Sequence, residues 1–146
     1  MSSLLFLCTG NSCRSQMAEA FARLHAPQGV HIYSAGVEKH GLNPRMLDVM
    51  AEAGVDMSPH YSKTTDELTP QDWELVVTVC DNAAQRCPCF PGATIHHMPF
   101  DDPPALTRGM DGVEALPVYR RVRDEIHAAV AELMRGLAAT SRKNGI

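Results

Sequence analysis

Leu4-Leu5-Phe6-Leu7 is an unbroken apolar run of strand length and predicts a buried strand, and Ser15-Gln16-Met17-Ala18-Glu19-Ala20-Phe21 after it begins an amphipathic helix. Val30 to Ser34 and Glu74 to Val79 read as two further strands; the second carries the strongest β signal and ends in Cys80. A weaker fourth strand falls near Thr94-Ile95-His96-His97-Met98. Asn43-Pro44 supplies an N-cap and a first-turn proline, Met46, Leu47, Met50 and Ala51 keep helical spacing, and Gly54 is a stop. A long final helix is expected to open after Pro117, with Val118, Val122, Ile126, Val130, Leu133 and Leu137 as its core stripe. Pro103 to Pro117 then reads as a long Gly/Pro-containing loop. Residues 1–138 form one domain and Ala139 to Ile146 a frayed, flexible tail. Strands alternating with helices predict an α/β fold: one four-stranded parallel sheet with helices on both faces. Ligands of such folds sit at the carboxyl ends of the strands, where Cys8 and Cys80 both lie.

Composition narrows the picture. The 146 residues are 45% apolar, enough for a single core. With a net charge of -4, a pI near 5.9 and no block of like charges, neither nucleic acid nor an anionic membrane surface is a natural partner, so any anion site must be local. No apolar stretch approaches the roughly 20 residues of a membrane span. The apolar N-terminus is too short and lacks the basic residues of a signal peptide, so a cytoplasmic location is expected. The five cysteines of such a chain point to catalysis, redox exchange or metal binding rather than a permanent disulfide framework.

Cys8-Thr9-Gly10-Asn11-Ser12-Cys13-Arg14 places a thiol and a guanidinium across a loop of small residues at a strand-to-helix junction. Backbone N–H groups converge at such a helix N-terminus and suit a tetrahedral oxyanion, with Arg14 as a fixed fork for two of its oxygens. The same field favours the Cys8 thiolate. Cys13 reads as a packing residue within the loop. Cys87 follows Cys80 by seven residues. Were Asp81 to Arg86 a rigid helix, the two sulfurs would stand about 10 Å apart, beyond disulfide reach, so bridging them requires that segment to loop out. Such refolding would carry an oxidised cysteine from an interior pocket to the surface. The alternatives are a zinc site with Cys80, Cys87, Cys89 and His96 or His97, or purely structural thiols.

Taken together, Cys8 to Glu19, Tyr33-Ser34-Ala35-Gly36, His40 to Pro44, Val76 to Cys80, Cys87-Pro88, Phe100 to Pro103 and Arg121 to Ile126 resemble the thioredoxin-coupled arsenate reductases, built on the low-molecular-weight tyrosine phosphatase fold. The resemblance covers most of the chain and implies arsenical resistance through a phosphate-type P-loop and a redox-active disulfide. It implies that Thr9, Gly10, Asn11, Ser12, Cys13 and Arg14 bind arsenate, or phosphate or sulfate as its mimics. It further implies that Cys8 attacks arsenate, Asp102 protonates the departing oxygen, Cys80 attacks Cys8 to release arsenite, and Cys87 attacks Cys80. Ser15 would hydrogen-bond the Cys8 thiolate and Asn11 would hold the loop. Thioredoxin is the implied reductant, with glutaredoxin and glutathione as the alternative, and a monomer is expected.

Three departures stand out. Some family members hold a potassium ion with residues matching Asn11, Glu19 and Ser34 and an aspartate where this chain has Lys63; the lysine is expected to replace the ion, leaving no cofactor. Cys89 is an extra thiol that could substitute for Cys87. The segment from Pro104 to Leu116 is longer than the compact link of the family. The rival functions are a phosphatase acting on phosphotyrosine or small phosphoesters, for which Cys8, Arg14 and Asp102 suffice, and a thiol-based sensor, which lacks a DNA-reading element. Weak side phosphatase activity is expected in either enzyme.

Overall fold

The computed structural model describes residues 2–69, 72–87 and 90–144, with the side chains of 140–144 left aside. In chain order the elements are β1 (Ser2–Cys8), α1 (Arg14–His25), β2 (Val30–Gly36), α2 (Pro44–Glu52), β3 (Leu75–Thr78), α3 (Asp81–Gln85), β4 (Thr94–His97), α4 (Pro103–Leu106) and α5 (Gly112–Asn144). The four strands form one sheet in the order β2-β1-β3-β4, and every neighbouring pair is parallel. Residues 4–8 of β1 are all buried, without alternation, because the central strand of a parallel sheet is covered on both faces. Leu5, Phe6, Leu7, Val76 and Val77 meet Met17 and Phe21 of α1 and Val122, Ile126 and Val130 of α5 in one core. The apolar stripes read from the sequence therefore face the sheet. β4 is the weak signal of the four because it is an edge strand whose side chains are all exposed.

The first crossover carries the chain from β1 to β2 on one side, and β3 returns to pair on the other side of β1. The strand order thus reverses between β1 and β3. The crevice at such a reversal lies beyond the carboxyl ends of the two strands, where Cys8 ends β1 and Cys80 follows β3.

Two sequence expectations are corrected here. The final helix starts at Gly112, and Pro117 lies inside it. Asp111 caps it, its Oδ1 accepting the Glu114 N–H at 2.8 Å. Pro117 is the sixth residue of the helix, where it cannot donate to the Val113 carbonyl, and the helix runs through the missing bond. Pro103 to Pro117 is consequently not a loop: it is α4, a turn over 107–111 and the opening of α5. Buried Thr107 closes that turn, its hydroxyl donating to Pro103 O at 2.7 Å. The backbone of α5 runs to Asn144. Among the described residues no helix is long and apolar enough to cross a membrane.

Candidate active site

The loop between β1 and α1 is shaped from below by a single residue. Asn11 is fully buried and adopts φ +48°, a left-handed conformation that asparagine tolerates better than most side chains. Its amide spends its whole hydrogen-bonding capacity. Nδ2 donates to Ser15 Oγ at 2.9 Å and to Ser34 Oγ at 3.0 Å, and Oδ1 accepts from Gln16 Nε2 at 2.9 Å and from the Lys63 N–H at 3.0 Å. Gly10 is held from outside. Its carbonyl accepts the His40 N–H at 3.0 Å and the Ser62 hydroxyl at 2.9 Å, and a Cβ there would stand 2.2 Å from His40 Nδ1.

Cys8 and Cys80 are both buried and hydrogen-bonded to one another through their thiols. The sulfurs are not equivalent. Cys80 is the N-cap of α3 and its Sγ accepts the Ala83 N–H at 3.3 Å. Thr9 Oγ1 lies 3.3 Å from the same sulfur and accepts from Asn82 Nδ2 at 2.8 Å, which leaves the threonine's own proton directed at Cys80. With donors from Cys8, Thr9 and Ala83, Cys80 is drawn down to about 5; the bond from Cys8 contributes most. That bond to Cys80 also pushes Cys8 well above its ordinary value, with burial adding to it. The bond between the two thiols thus favours charge on Cys80 over charge on Cys8. Cys13, by contrast, is pushed up to about 12, chiefly by burial, and remains a thiol.

Arg14 opens α1 and its guanidinium turns under the loop. Nη1 donates to Phe100 O at 3.0 Å and Nη2 stands 3.5 Å from Asp102 Oδ1, while the buried Nε has no hydrogen-bond partner within the protein. An orphaned buried donor beside a ring of loop amides suits a bound oxyanion. Asp102 occupies the N-cap of α4 but makes no side-chain cap bond. Its half-exposed carboxylate instead faces Arg14 at the rim.

Beneath the loop lies a second polar layer. Ser34 donates to Glu19, linking Asn11 to that carboxylate. Lys63 is 6% exposed, with Nζ 3.8 Å from Glu19 Oε1, 3.1 Å from Tyr61 O and 4.7 Å from the Tyr61 ring centre. Burial lowers its affinity for the proton, and Glu19 opposes that shift. Arg23 closes the other side of Glu19 at 2.8 Å.

Every site residue read from the sequence and described in the structure lies in this arrangement except Cys87, which is half-buried beyond the end of α3. Cys89 is outside the described residues. Among those described, no cluster of three or more His, Cys, Asp or Glu side chains could hold a metal, and His97 is engaged by Thr78 and Asp81. Sequence reasoning missed Gln16 and His60. Gln16 donates to Asn11 O and Tyr61 O and accepts from His60 Nδ1 at 3.2 Å. A glutamine set in the apolar face of α1 is the signal that could have found it. Asn82, which orients Thr9, was hidden because its partner is distant in sequence.

The low molecular weight phosphotyrosine protein phosphatase family matches residues 3–143. An arsenate reductase of Halalkalibacterium halodurans is 48% identical over 84% of this chain and 88% of its own. Among solved structures, an arsenate reductase in the phosphate-binding state has a TM-score of 0.77 at 27% identity, covering 93% of this chain and 98% of that one. An arginine phosphatase from Geobacillus stearothermophilus has a TM-score of 0.78 at 26% identity, covering 100% and 99%. With its loop thiol, its guanidinium and a second free thiol set against the first, the chain belongs to the low molecular weight phosphotyrosine protein phosphatase family, on the branch of the arsenate reductases.

Proposed function

We propose that this protein reduces arsenate to arsenite through Cys8, Cys80 and Cys87, with thioredoxin restoring the thiols and the monomer as the working unit. The observation that carries this reading is the hydrogen-bonded pair of Cys8 and Cys80, because a hydrolase has no use for a second activated sulfur against its nucleophile. Arsenate enters the loop, where the N–H groups at the start of α1 and the Arg14 fork take its oxygens. The proton of Cys8 passes along the hydrogen bond to Cys80, and Cys8 attacks arsenic. Asp102, protonated from solvent at the rim, passes that proton to the departing oxygen, which leaves as water, and Ser15, already accepting from Asn11, keeps its own proton for the Cys8 sulfur. Cys80 gives up to solvent the proton it took from Cys8 and, again a thiolate, attacks Cys8 Sγ. The sulfur–arsenic bond breaks, its electron pair remains on arsenic, and arsenite leaves. Cys87 then attacks Cys80 and Cys8 departs as a thiolate.

The test is a single turnover of pre-reduced protein with arsenate and no reductant. One equivalent of arsenite with a bridge between Cys80 and Cys87 is expected. No arsenite and free thiols, alongside hydrolysis of an aryl phosphate, would assign the chain to phosphatase chemistry, which Cys8, Arg14 and Asp102 also permit.

The ammonium of Lys63 stands in the layer of Asn11, Ser34 and Glu19 as an internal cation. Exchanging sodium for potassium chloride at constant ionic strength is therefore expected to leave turnover unchanged. A large gain in potassium would refute the substitution.

A further inference from the structure

Nothing in the relay as described explains what keeps Cys87 from closing on Cys80 too early. α3 spans only Asp81–Gln85, far below the length at which a helix holds itself together in water. Its persistence depends on ties to its surroundings.

Two such ties join its ends to fixed parts of the fold. At the first residue, Asp81 Oδ1 lies 3.0 Å from His97 Nε2. The other ring nitrogen, Nδ1, lies 2.7 Å from Thr78 Oγ1, and Thr78 and His97 are partners in the ladder between β3 and β4. A carboxylate only accepts, so Nε2 carries the proton toward Asp81, and in the neutral ring Nδ1 accepts from the Thr78 hydroxyl. Thr78 is fully buried in the sheet, whereas Asp81 is almost fully exposed. The chain Thr78, His97, Asp81 thus runs from rigid sheet to loose helix. At the far end Arg86, beside Cys87, stands 3.9 Å from Glu38 of the segment after β2.

We propose that His97 and Asp81 are positioning residues of the relay: anchored on Thr78, they strap the first turn of α3 to the sheet and delay its unwinding until Cys80 is consumed. The inference rests on the relay reading above. In the reduced protein Cys80 also holds α3, as its N-cap, through Ala83 and Thr9. When Cys80 bonds to Cys8, its sulfur turns away from both donors, and that end of α3 is left to the strap of His97 and Asp81 and to the bond from Asn82 to Thr9. The closing step needs no further oxidant. Cys87 thiolate forms a bond to Cys80 Sγ, the bond between Cys80 and Cys8 breaks, and Cys8 takes the electron pair.

The test uses the full chain with Asp81→Ala, Asp81→Asn and His97→Phe. Hydrogen exchange is followed at the amides of Ala84 and Arg86, which bond Cys80 O and Asn82 O inside α3. Formation of the Cys80 to Cys87 bridge is followed by quenched alkylation after one turnover. Exposed polar ties of this kind lead us to expect exchange and closure faster by about 3- to 5-fold in Asp81→Ala and His97→Phe, with unchanged arsenite release. Asp81→Asn keeps an acceptor for His97 and should behave as wild type. Exchange at wild-type rates in both Asp81→Ala and His97→Phe overturns the strap; acceleration in Asp81→Ala alone also overturns it, because the lost charge at the helix start would then be the cause. Failure of the relay itself looks different: no bridge in the wild-type protein, with the exchange result still deciding the strap.

Discussion

Cys80→Ser is expected to release no arsenite in a single turnover, against the one equivalent expected of the wild-type protein. The serine hydroxyl can keep the contact to Thr9 and the cap on α3, so the fold stays intact while the thiolate that attacks Cys8 and leaves the electron pair on arsenic is lost. Cys8→Ser should be as inactive, by more than about 10⁴-fold, because the nucleophile itself is gone. Alkylation reports on the Cys80 thiolate directly. Cys80 sits at about 5, so its thiolate is present above that pH and disappears as the pH falls through it. Carbamidomethylation of Cys80 should therefore remain fast from pH 8 down to about pH 6 and slow below it. In Cys8→Ala the largest stabilising bond to the Cys80 thiolate is missing, and the midpoint should move upward. Rapid release of a full equivalent of arsenite by Cys80→Ser would remove this cysteine from the mechanism.

Arg14→Ala is the second large effect. The guanidinium is buried to 12% exposure, pinned by Phe100 O, and holds an unused Nε donor at the loop. Its removal takes away both the fixed charge that meets the oxyanion and the partner of Asp102. Loss of one such preorganised donor group lowers kcat by about 10²- to 10³-fold, or 2.7–4 kcal/mol. For Arg14→Ala we expect the upper end of that range in kcat/KM. Arg14→Lys should recover only part of it, since a point charge cannot span two oxygens and bond Phe100 O at once. Steady-state kinetics of arsenite formation with phosphate as a competitor reads both numbers. Unchanged phosphate competition in Arg14→Ala would mean that the anion does not rest on this side chain.

The elements that the sequence makes legible are those whose periodicity is imposed by burial. β1 and β3 are continuous apolar runs because both faces of the sheet are covered, and α2 is marked at each end, by Asn43-Pro44 and by Gly54 at φ +76°. The start of α5 is not legible in the same way. Pro117 is the louder signal, but the Asp111 cap starts the helix ahead of it and the helix continues through the proline. At the site, the loop of Cys8 to Arg14 is readable because its residues are contiguous. The second layer is legible only in part: Glu19, Ser34 and Lys63 enter through the family resemblance, whereas Gln16, His60 and Asn82 acquire their meaning only when the crossovers bring distant segments under one loop. Cys80 could be placed at the end of β3 from sequence, yet its role as an N-cap that gathers donors on sulfur depends on the short helix after it.

The orphaned Nε of Arg14 has a consequence for the protein in a phosphate-rich solution. A donor that is buried and unmatched within the fold favours any tetrahedral oxyanion that can reach it, so inorganic phosphate and sulfate compete for the place that arsenate needs. Occupancy adds RT ln(1 + [L]/Kd) to the folding free energy, about 2.7 kcal/mol at a hundredfold excess over Kd. Thermal midpoints taken in phosphate buffer will therefore stand above those taken in a buffer without tetrahedral anions. The same occupancy makes the apparent affinity for arsenate a function of the phosphate around it, so that the threshold at which the enzyme begins to turn over rises and falls with the phosphate supply.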